Sequence, residues 1–216
     1  GGVCSFTVIG GGETLILDEA IEVVHGLLKY GHLVNVVTNA TLTERLKLLL
    51  DVPKEDIGRL SIKGSLHYAE LKRLNMVDTY FSNLKMCLDA GASAHPFMVT
   101  SREYVPYFQE IADTSMKYIG ARPHCSPRHL YNGPEDLEKF GKTIADPECN
   151  EDFCKTIDEI FDSEVFRVCV KNMPMIPQEH FCYAGKYNFF VNMESGDLWK
   201  CQINRRRQNF LEDITK

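Results

Sequence analysis

The sequence of 216 residues lacks any long apolar segment. No uninterrupted apolar run reaches roughly 18 residues, the length that a membrane-spanning helix needs. No basic start followed by an apolar stretch marks a signal peptide either. These absences exclude a visible membrane span and a visible export signal, and we therefore expect a cytoplasmic protein.

Clustered positive charge is also scarce. The formal net charge is -6 at pH 7, and Lys and Arg are scattered apart from the run Arg205, Arg206 and Arg207. Electrostatic binding of nucleic acid needs an extended basic face that neutralises phosphates, so nucleic acid is not an expected partner. With 44% hydrophobic and 25% charged residues, the chain is long enough to bury a core and to form one domain with an appendage.

Closely grouped cysteines are missing as well. The eight cysteines lie at positions 4, 87, 125, 149, 154, 169, 182 and 201. They are too far apart for a small disulfide scaffold, and in a reducing compartment they would be free thiols or metal ligands.

Short strand-like runs alternate with helical patterns from the N-terminus to about His124. The predicted strands are residues 3–9, 33–38, 60–66, 94–99 and 118–121. Between them, apolar residues recur at helical spacing, and three of these patterns end at or before Gly31, Gly91 and Gly120. Strands separated by helices pair in parallel through right-handed crossovers. The pattern therefore predicts an α/β fold with an open or barrel-like sheet.

The alternation stops after His124. Residues 131–180 have the pattern of a helical connector, which Pro174 and Pro177 close. From residue 181 we predict a hairpin with arms at 187–193 and 198–201 that turns at "ESGD", followed by a short helix around residues 208–214. The expected organisation is thus a partial barrel (1–130), a connector (131–180) and a small α+β hairpin-helix extension (181–216).

The first predicted strand leads directly into "GGGE", residues 10–13. In parallel α/β sheets, ligands bind at the carboxyl ends of the strands. The stretch is no dinucleotide fingerprint, because its three glycines are consecutive, and it is no phosphate loop. Two interpretations stay open. The glycines could form a strand-to-helix turn with Glu13 near a helix N-terminus, or they could let a ligand approach the backbone closely.

Four stretches at successive predicted strand ends resemble radical S-adenosylmethionine enzymes. They are "FTVIGGGETLI", "VVTNATL", "IKGSLHYAELKR" and "NLKMCLDAGAS", and the resemblance covers about residues 3–124. It implies a partial (β/α)6 TIM-like barrel whose first strand is missing here. It also implies reductive cleavage of S-adenosylmethionine to a 5′-deoxyadenosyl radical, which abstracts hydrogen from a substrate such as a peptide or protein.

The resemblance also implies which residues contact the cofactor. They are Gly11, Gly12, Glu13, Thr38, Asn39, Ser65 and Arg73. The first three match the motif that holds the methionyl ammonium group, and the threonine and asparagine match a "TNG"-like strand end in which Ala40 replaces the glycine. The serine matches a cofactor contact on the next strand, and the arginine lies where many members bind the cofactor carboxylate.

Simpler interpretations of these polar residues stay open. Asn39 could serve turn chemistry, and Ser65 could be a strand hydroxyl bonded to the backbone. His67 and His95 also lie near strand ends, and we interpret them as satisfied polar groups rather than as proton donors.

Cys182 and Cys201 bracket the predicted hairpin in the segment "CYAGKYNFFVNMESGDLWKC". A hairpin of this length can bring both thiolates to one metal centre. The segment resembles the start of the SPASM or twitch extension, whose "C-x-A-G" opening matches Cys182, Ala184 and Gly185 and which binds an auxiliary [4Fe-4S] cluster. The alternatives are two unrelated core cysteines or a zinc-stapled interaction module.

The sequence contains no CxxxCxxC, the loop through which this family binds its catalytic [4Fe-4S] cluster. We therefore expect an internal segment of a longer enzyme that is active only in its full-length form. The alternatives are a complete protein that has lost the chemistry, or a non-catalytic S-adenosylmethionine-binding module. The resemblance implies a small-molecule or peptide substrate and a reductase or flavodoxin-type electron donor.

Overall fold

The computed structural model of the protein describes residues 2–130, 144–145, 149–172, 183–200 and 206–209. The chain divides into two compact units, the first comprising Gly1–Leu130 and Ala145–Pro174, and the second Tyr131–Ile144 and Met175–Lys216. Over the described ranges, no helix is both long and apolar enough to traverse a membrane.

Five parallel strands in sequential order form the sheet of the first unit. They are β1 (Ser5–Val8), β2 (Leu33–Thr38), β3 (Leu60–Ser65), β4 (Ser93–Thr100) and β5 (His124–Pro127). Each strand pairs in parallel with the next, and the sheet curls into a half-barrel. The predicted α/β class with a barrel-like parallel sheet is confirmed.

Helices connect these strands. They are α1 (Asp18–Lys29), α2 (Thr43–Leu49), α3 (Lys54–Ile57), α4 (Tyr68–Arg73), α5 (Val77–Asp89) and α6 (Phe108–Ile119), with 3-10 turns at Thr14–Ile16 and Arg102–Tyr107. Gly31, Gly91 and Gly120 follow α1, α5 and α6 with φ values of 81°, 98° and 76°. This left-handed backbone favours glycine, which confirms the predicted ends of these three helices.

The core lies against one face of the sheet. Along β2, β3 and β4, buried residues alternate with partly exposed ones, and Val36 and Ile62 are fully buried. Phe81 of α5 and Phe108 of α6 are buried with them. Since successive side chains of a strand point to opposite faces, the partly exposed residues share the other face of the half-barrel.

The fifth predicted strand, residues 118–121, is wrong. Tyr118 and Ile119 are the last residues of α6, where Ile119 continues the apolar face that carries Ile111 and Ala112 and packs against the core. Gly120 then ends the helix, and the strand begins only at His124.

Two further helices of the first unit, α7 (Glu151–Phe161) and α8 (Glu164–Asn172), follow the short strands β6 (His129–Leu130) and β7 (Ile144–Ala145). Asn150 caps α7 by accepting a hydrogen bond from the Phe153 N–H at 3.0 Å. Phe161 packs edge-on against Phe108 with ring centroids 5.3 Å apart. Ser163, between the helices, accepts a hydrogen bond from the Cys125 N–H at 3.1 Å and so ties this pair to β5.

In the second unit, β8 (Phe190–Val191) and β9 (Asp197–Trp199) pair antiparallel, which confirms the predicted hairpin. The Asn192 side chain accepts hydrogen bonds from the N–H groups of Glu194 and Ser195 and so builds the turn.

The predicted helix at residues 208–214 is wrong where it can be compared. Arg206–Asn209 forms strand β10, because its backbone pairs with the free edge of β9. Residues 210–214 lie outside the described part.

Candidate functional site

Glu13 joins the ends of β1 and β2. Its Oε1 accepts hydrogen bonds from the Leu15 N–H at 2.9 Å and from Thr38 Oγ1 at 2.6 Å. Its Oε2 accepts one from the Asn39 N–H at 2.6 Å. An ionised carboxylate offers about four acceptor positions. One position on Oε2 therefore remains for a further donor.

The three glycines before Glu13 have different reasons to be glycine. A Cβ on Gly10 would lie 3.2 Å from the Thr14 Cα, so that the protein's own packing favours glycine there. A Cβ on Gly11 or Gly12 would meet nothing within 4 Å, and neither residue has a left-handed φ. Neither packing nor backbone conformation thus requires glycine at these two positions. This favours the interpretation that they leave room for a ligand.

Two side chains that the sequence analysis missed hold this turn in place. Thr14 Oγ1 accepts a hydrogen bond from the Gly10 N–H at 2.9 Å and donates one to the Val37 carbonyl at 2.5 Å. Arg45 of α2 donates from Nε to the Leu15 carbonyl at 2.5 Å. Thr14 could have been predicted from the sequence, because it directly follows "GGGE". Arg45 gives no such signal, because it lies 30 residues from Leu15.

Ala40 stands where the family that this sequence resembles has a glycine. It has a φ of 54° and is fully buried. A left-handed conformation costs a residue with a Cβ about 1–2 kcal/mol, so contacts nearby must hold it. The Thr38 hydroxyl accepts a hydrogen bond from the Ala40 N–H at 3.1 Å, and the buried Asn83 amide donates to the Ala40 carbonyl at 2.9 Å. The backbone that a glycine would relax is therefore fixed from both sides.

A cleft of about 510 Å³ opens beyond the carboxyl ends of β2 and β3. Its lining includes the predicted contact residues Asn39, Ser65 and Arg73 together with His67 and Tyr104. Glu13 accepts a hydrogen bond from the Asn39 N–H, and Thr38 accepts one from the N–H of Ala40, the residue after Asn39. The structure thus brings the polar residues of three separate sequence motifs to one end of the sheet.

Arg73 has a partner inside this cleft. Its Nε and Nη2 donate to the two carboxylate oxygens of Glu70 at 2.7 and 2.6 Å. These bonds lower the pKa of the Glu70 carboxyl group. These bonds use two of the five N–H donors of the guanidinium, so the remaining donors can bind a ligand carboxylate. Exposed ion pairs contribute little to stability, so a ligand carboxylate can also replace Glu70.

Across the described ranges, no group of three or more His, Cys, Asp or Glu residues is placed to hold a metal ion. The two predicted metal ligands, Cys182 and Cys201, lie outside the described residues. The described side chains therefore supply no set of ligands for an iron-sulfur cluster.

No protein-family model matches the sequence, and no curated protein does. Among solved structures, the fold is similar to that of Streptococcus suis SuiB. The TM-scores are 0.61 for SuiB bound to S-adenosylmethionine, 0.60 for SuiB, and 0.59 for SuiB bound to precursor peptide SuiA. Identity is 16% in each case, and the matches cover 96% of this chain and 52%, 53% and 52% of the SuiB chains. The chain spans about half the length of SuiB, and this likeness shows a shared fold.

Proposed function

We propose that this chain is the S-adenosylmethionine-binding part of a radical S-adenosylmethionine enzyme. The observation that carries the proposal is the Glu13 carboxylate, which keeps one acceptor position open at the carboxyl end of a parallel half-barrel. A carboxylate held in this way suits an ammonium group, and the cleft beside it offers a hydroxyl, an amide and a guanidinium. The fold shared with SuiB, which has been crystallised with S-adenosylmethionine, supports the assignment.

Each of these side chains has a role in the proposal. Glu13 Oε2 accepts a hydrogen bond from the methionyl ammonium, while Gly11 and Gly12 leave space for the ligand. Arg73 donates hydrogen bonds to the ligand carboxylate, and Ser65 contributes a hydroxyl contact. S-adenosylmethionine held by these residues would supply a 5′-deoxyadenosyl radical for hydrogen abstraction if a reduced iron-sulfur cluster donated an electron to it. The cysteines of a CxxxCxxC loop are not in this sequence, so cleavage needs cluster ligands from elsewhere.

We further propose a peptide substrate and an auxiliary cluster. SuiB has been crystallised with a precursor peptide, which supports the first part. The antiparallel hairpin of β8 and β9 lies between Cys182 and Cys201 in the sequence, which supports a SPASM or twitch extension. A reductase or flavodoxin-type protein is the proposed electron donor.

Equilibrium dialysis with radiolabelled S-adenosylmethionine tests the binding role. We expect saturable binding with a Kd of about 1 mM or tighter, equivalent to about 4 kcal/mol. Methionine should compete, because it carries both the ammonium and the carboxylate groups. Its analogue without the amino group, 4-(methylthio)butanoate, should compete far less, since it offers Glu13 no donor. Absence of saturable binding, or equal competition by the two compounds, would contradict the proposal.

Gly12→Ala should separate a ligand contact from a structural turn. Because an added Cβ meets open space and the backbone is not left-handed, we expect the free energy of unfolding to change by less than about 0.5 kcal/mol. S-adenosylmethionine affinity should fall about tenfold, equivalent to about 1.4 kcal/mol, because the methyl group occupies the ligand's space. Urea unfolding and equilibrium dialysis measure the two effects.

The matched control for this glycine is Gly26→Ala on α1, where a Cβ also meets open space. This change should stabilise the protein by about 0.5–1 kcal/mol, because alanine is the better helix former. It should leave S-adenosylmethionine binding unchanged. A Gly12→Ala variant that binds normally, or one that loses stability instead of affinity, would favour the turn interpretation.

A further inference from the structure

Lys63, His95 and His124 lie side by side on three adjacent strands. Lys63 of β3 is the register partner of His95 of β4, and His124 of β5 is the register partner of Phe97, two residues further along β4. Side chains two residues apart on a strand share a face, so these three project from one face of the sheet. Their immediate neighbours on these strands, such as Ile62, are buried in the core on the opposite face.

The three side chains are close together and partly accessible. The rings of His95 and His124 have centroids 4.6 Å apart. Lys63 Nζ lies 3.4 Å from the centroid of the Phe97 ring, a cation-π contact that holds the ammonium over the sheet. His124 is exposed, and Lys63 and His95 are partly exposed. The inner face of the half-barrel thus carries a compact nitrogen-rich cluster.

This cluster has no acidic partner among the residues that the structure describes. None of the ion pairs among the described residues involves Lys63, His95 or His124. Burial lowers the pKa of Lys63, and the group that opposes this shift is Cys169 of α8. Burial lowers the pKa of His95 to about 4, and His124 and Lys63 add to the shift. No carboxylate offsets the burial of Lys63, and an anion bound here would do so.

The cluster also lies next to the cleft. Ser65, which lines the cleft, follows Lys63 by two residues on β3 and projects from the same face. Two residues of a strand span about 7 Å. Lys63 and His95 therefore lie one side-chain layer further into the half-barrel than Ser65, while His124 lies in the same layer as Ser65.

We infer that Lys63, His95 and His124 bind a carboxylate group of the substrate on the inner face of the half-barrel. The inference rests on the proposed function, since it takes the cleft beside Ser65 as the cofactor site. The Lys63 ammonium supplies the charge, and an imidazole N–H from each histidine donates to the carboxylate oxygens. The substrate is therefore a peptide that carries an acidic side chain or a free C-terminus near the position that reacts.

Histidine NMR spectra of the whole chain test this site with acetate and inorganic phosphate as probes. We expect acetate to shift the imidazole signals of His95 and His124 saturably, with a Kd of about 10 mM, as befits a single small anion. Lys63→Met should weaken this response at least tenfold, while Lys63→Arg should retain most of it. The matched control is Lys85→Met, which removes an exposed lysine that pairs with Asp89 on α5. A response to phosphate alone would overturn the carboxylate assignment, as would an unchanged response in Lys63→Met.

Dialysis with S-adenosylmethionine on the same variants separates this inference from the proposed function. Lys63 does not line the cleft, so Lys63→Met should bind S-adenosylmethionine with unchanged affinity. Intact S-adenosylmethionine binding with no acetate response in the original chain would overturn the carboxylate site and leave the proposed function standing. Loss of S-adenosylmethionine binding in the original chain would contradict the proposed function, whatever the acetate titration shows.

Discussion

Glu13→Gln should weaken the binding of S-adenosylmethionine by about 10- to 100-fold, because a hydrogen bond between an ammonium and a carboxylate contributes about 1.5–3 kcal/mol. The neutral amide cannot supply this charge. One of the two polar groups of the glutamine amide is an NH2 donor, which cannot replace the oxygen acceptor that the ligand ammonium needs. Equilibrium dialysis measures the loss of affinity, and competition by methionine should disappear with it.

The same substitution should reduce stability, since Glu13 accepts bonds from Leu15, Thr38 and Asn39. A glutamine leaves at least one of these donors without its acceptor, at a cost of about 1–3 kcal/mol in the free energy of unfolding. Glu44→Gln is the control, because Glu44 is an exposed acid that bonds only to Lys47 within the described structure. It should change neither quantity. Normal S-adenosylmethionine affinity in a folded Glu13→Gln protein would refute the assigned role.

Gly64→Ala should give the largest loss of stability for a single added methyl group. A Cβ at this buried position of β3 would lie 2.8 Å from the Tyr80 hydroxyl oxygen and 3.1 Å from both terminal carbons of Leu84. Tyr80 is fully buried and donates a hydrogen bond to the Gly64 carbonyl at 2.8 Å. Overpacking costs about 1–3 kcal/mol, and disturbing the bond adds about 1 kcal/mol. Urea unfolding should therefore show a loss of about 2–4 kcal/mol.

A double substitution tests the cause of this loss. Tyr80→Phe alone should cost about 1 kcal/mol, because it removes the hydrogen bond to Gly64. In Gly64→Ala with Tyr80→Phe, the nearest clashing atom is gone, so the combined loss should be smaller than the sum of the two single losses. Strict additivity would show that the Tyr80 hydroxyl is not the atom that resists the new methyl group.

Four of the five strands could be predicted because each combines β-branched or apolar residues with a glycine or turn signal after it. The fifth could not. His124–Pro127 has no β-branched residue, whereas Tyr118 and Ile119 have high β-propensity but extend the apolar face of α6. Strand β10 was missed for a related reason. Its state depends on pairing with β9, and a pattern within residues 208–214 contains no information about that partner.

For the candidate site, the order of the motifs indicates that Asn39 and Ser65 share one end of the sheet, and both line the cleft together with Arg73 of α4. Parallel strands make this prediction possible, since their carboxyl ends meet at a common edge. The pair of Arg73 with Glu70 has the i,i+3 spacing at which opposite charges meet on a helix, so the sequence does indicate it. The sequence could not indicate that Arg45 would reach the turn after Glu13, because 30 residues separate it from Leu15. It also did not indicate the Lys63 and His95 cluster, because their proximity follows from the register between β3 and β4.

The left-handed Ala40 has a consequence for how the cleft receives a ligand. Thr38 and Asn83 hold its backbone, and the N–H of Asn39, the residue before it, donates to Glu13. The carboxylate is thus oriented during folding, before any ligand arrives. Ordering a loop or side chain upon association reduces affinity, and that loss does not arise at a preorganised group. Binding at Glu13 should therefore have the thermodynamic character of a lock-and-key contact, with little conformational entropy lost by the protein when the ligand binds.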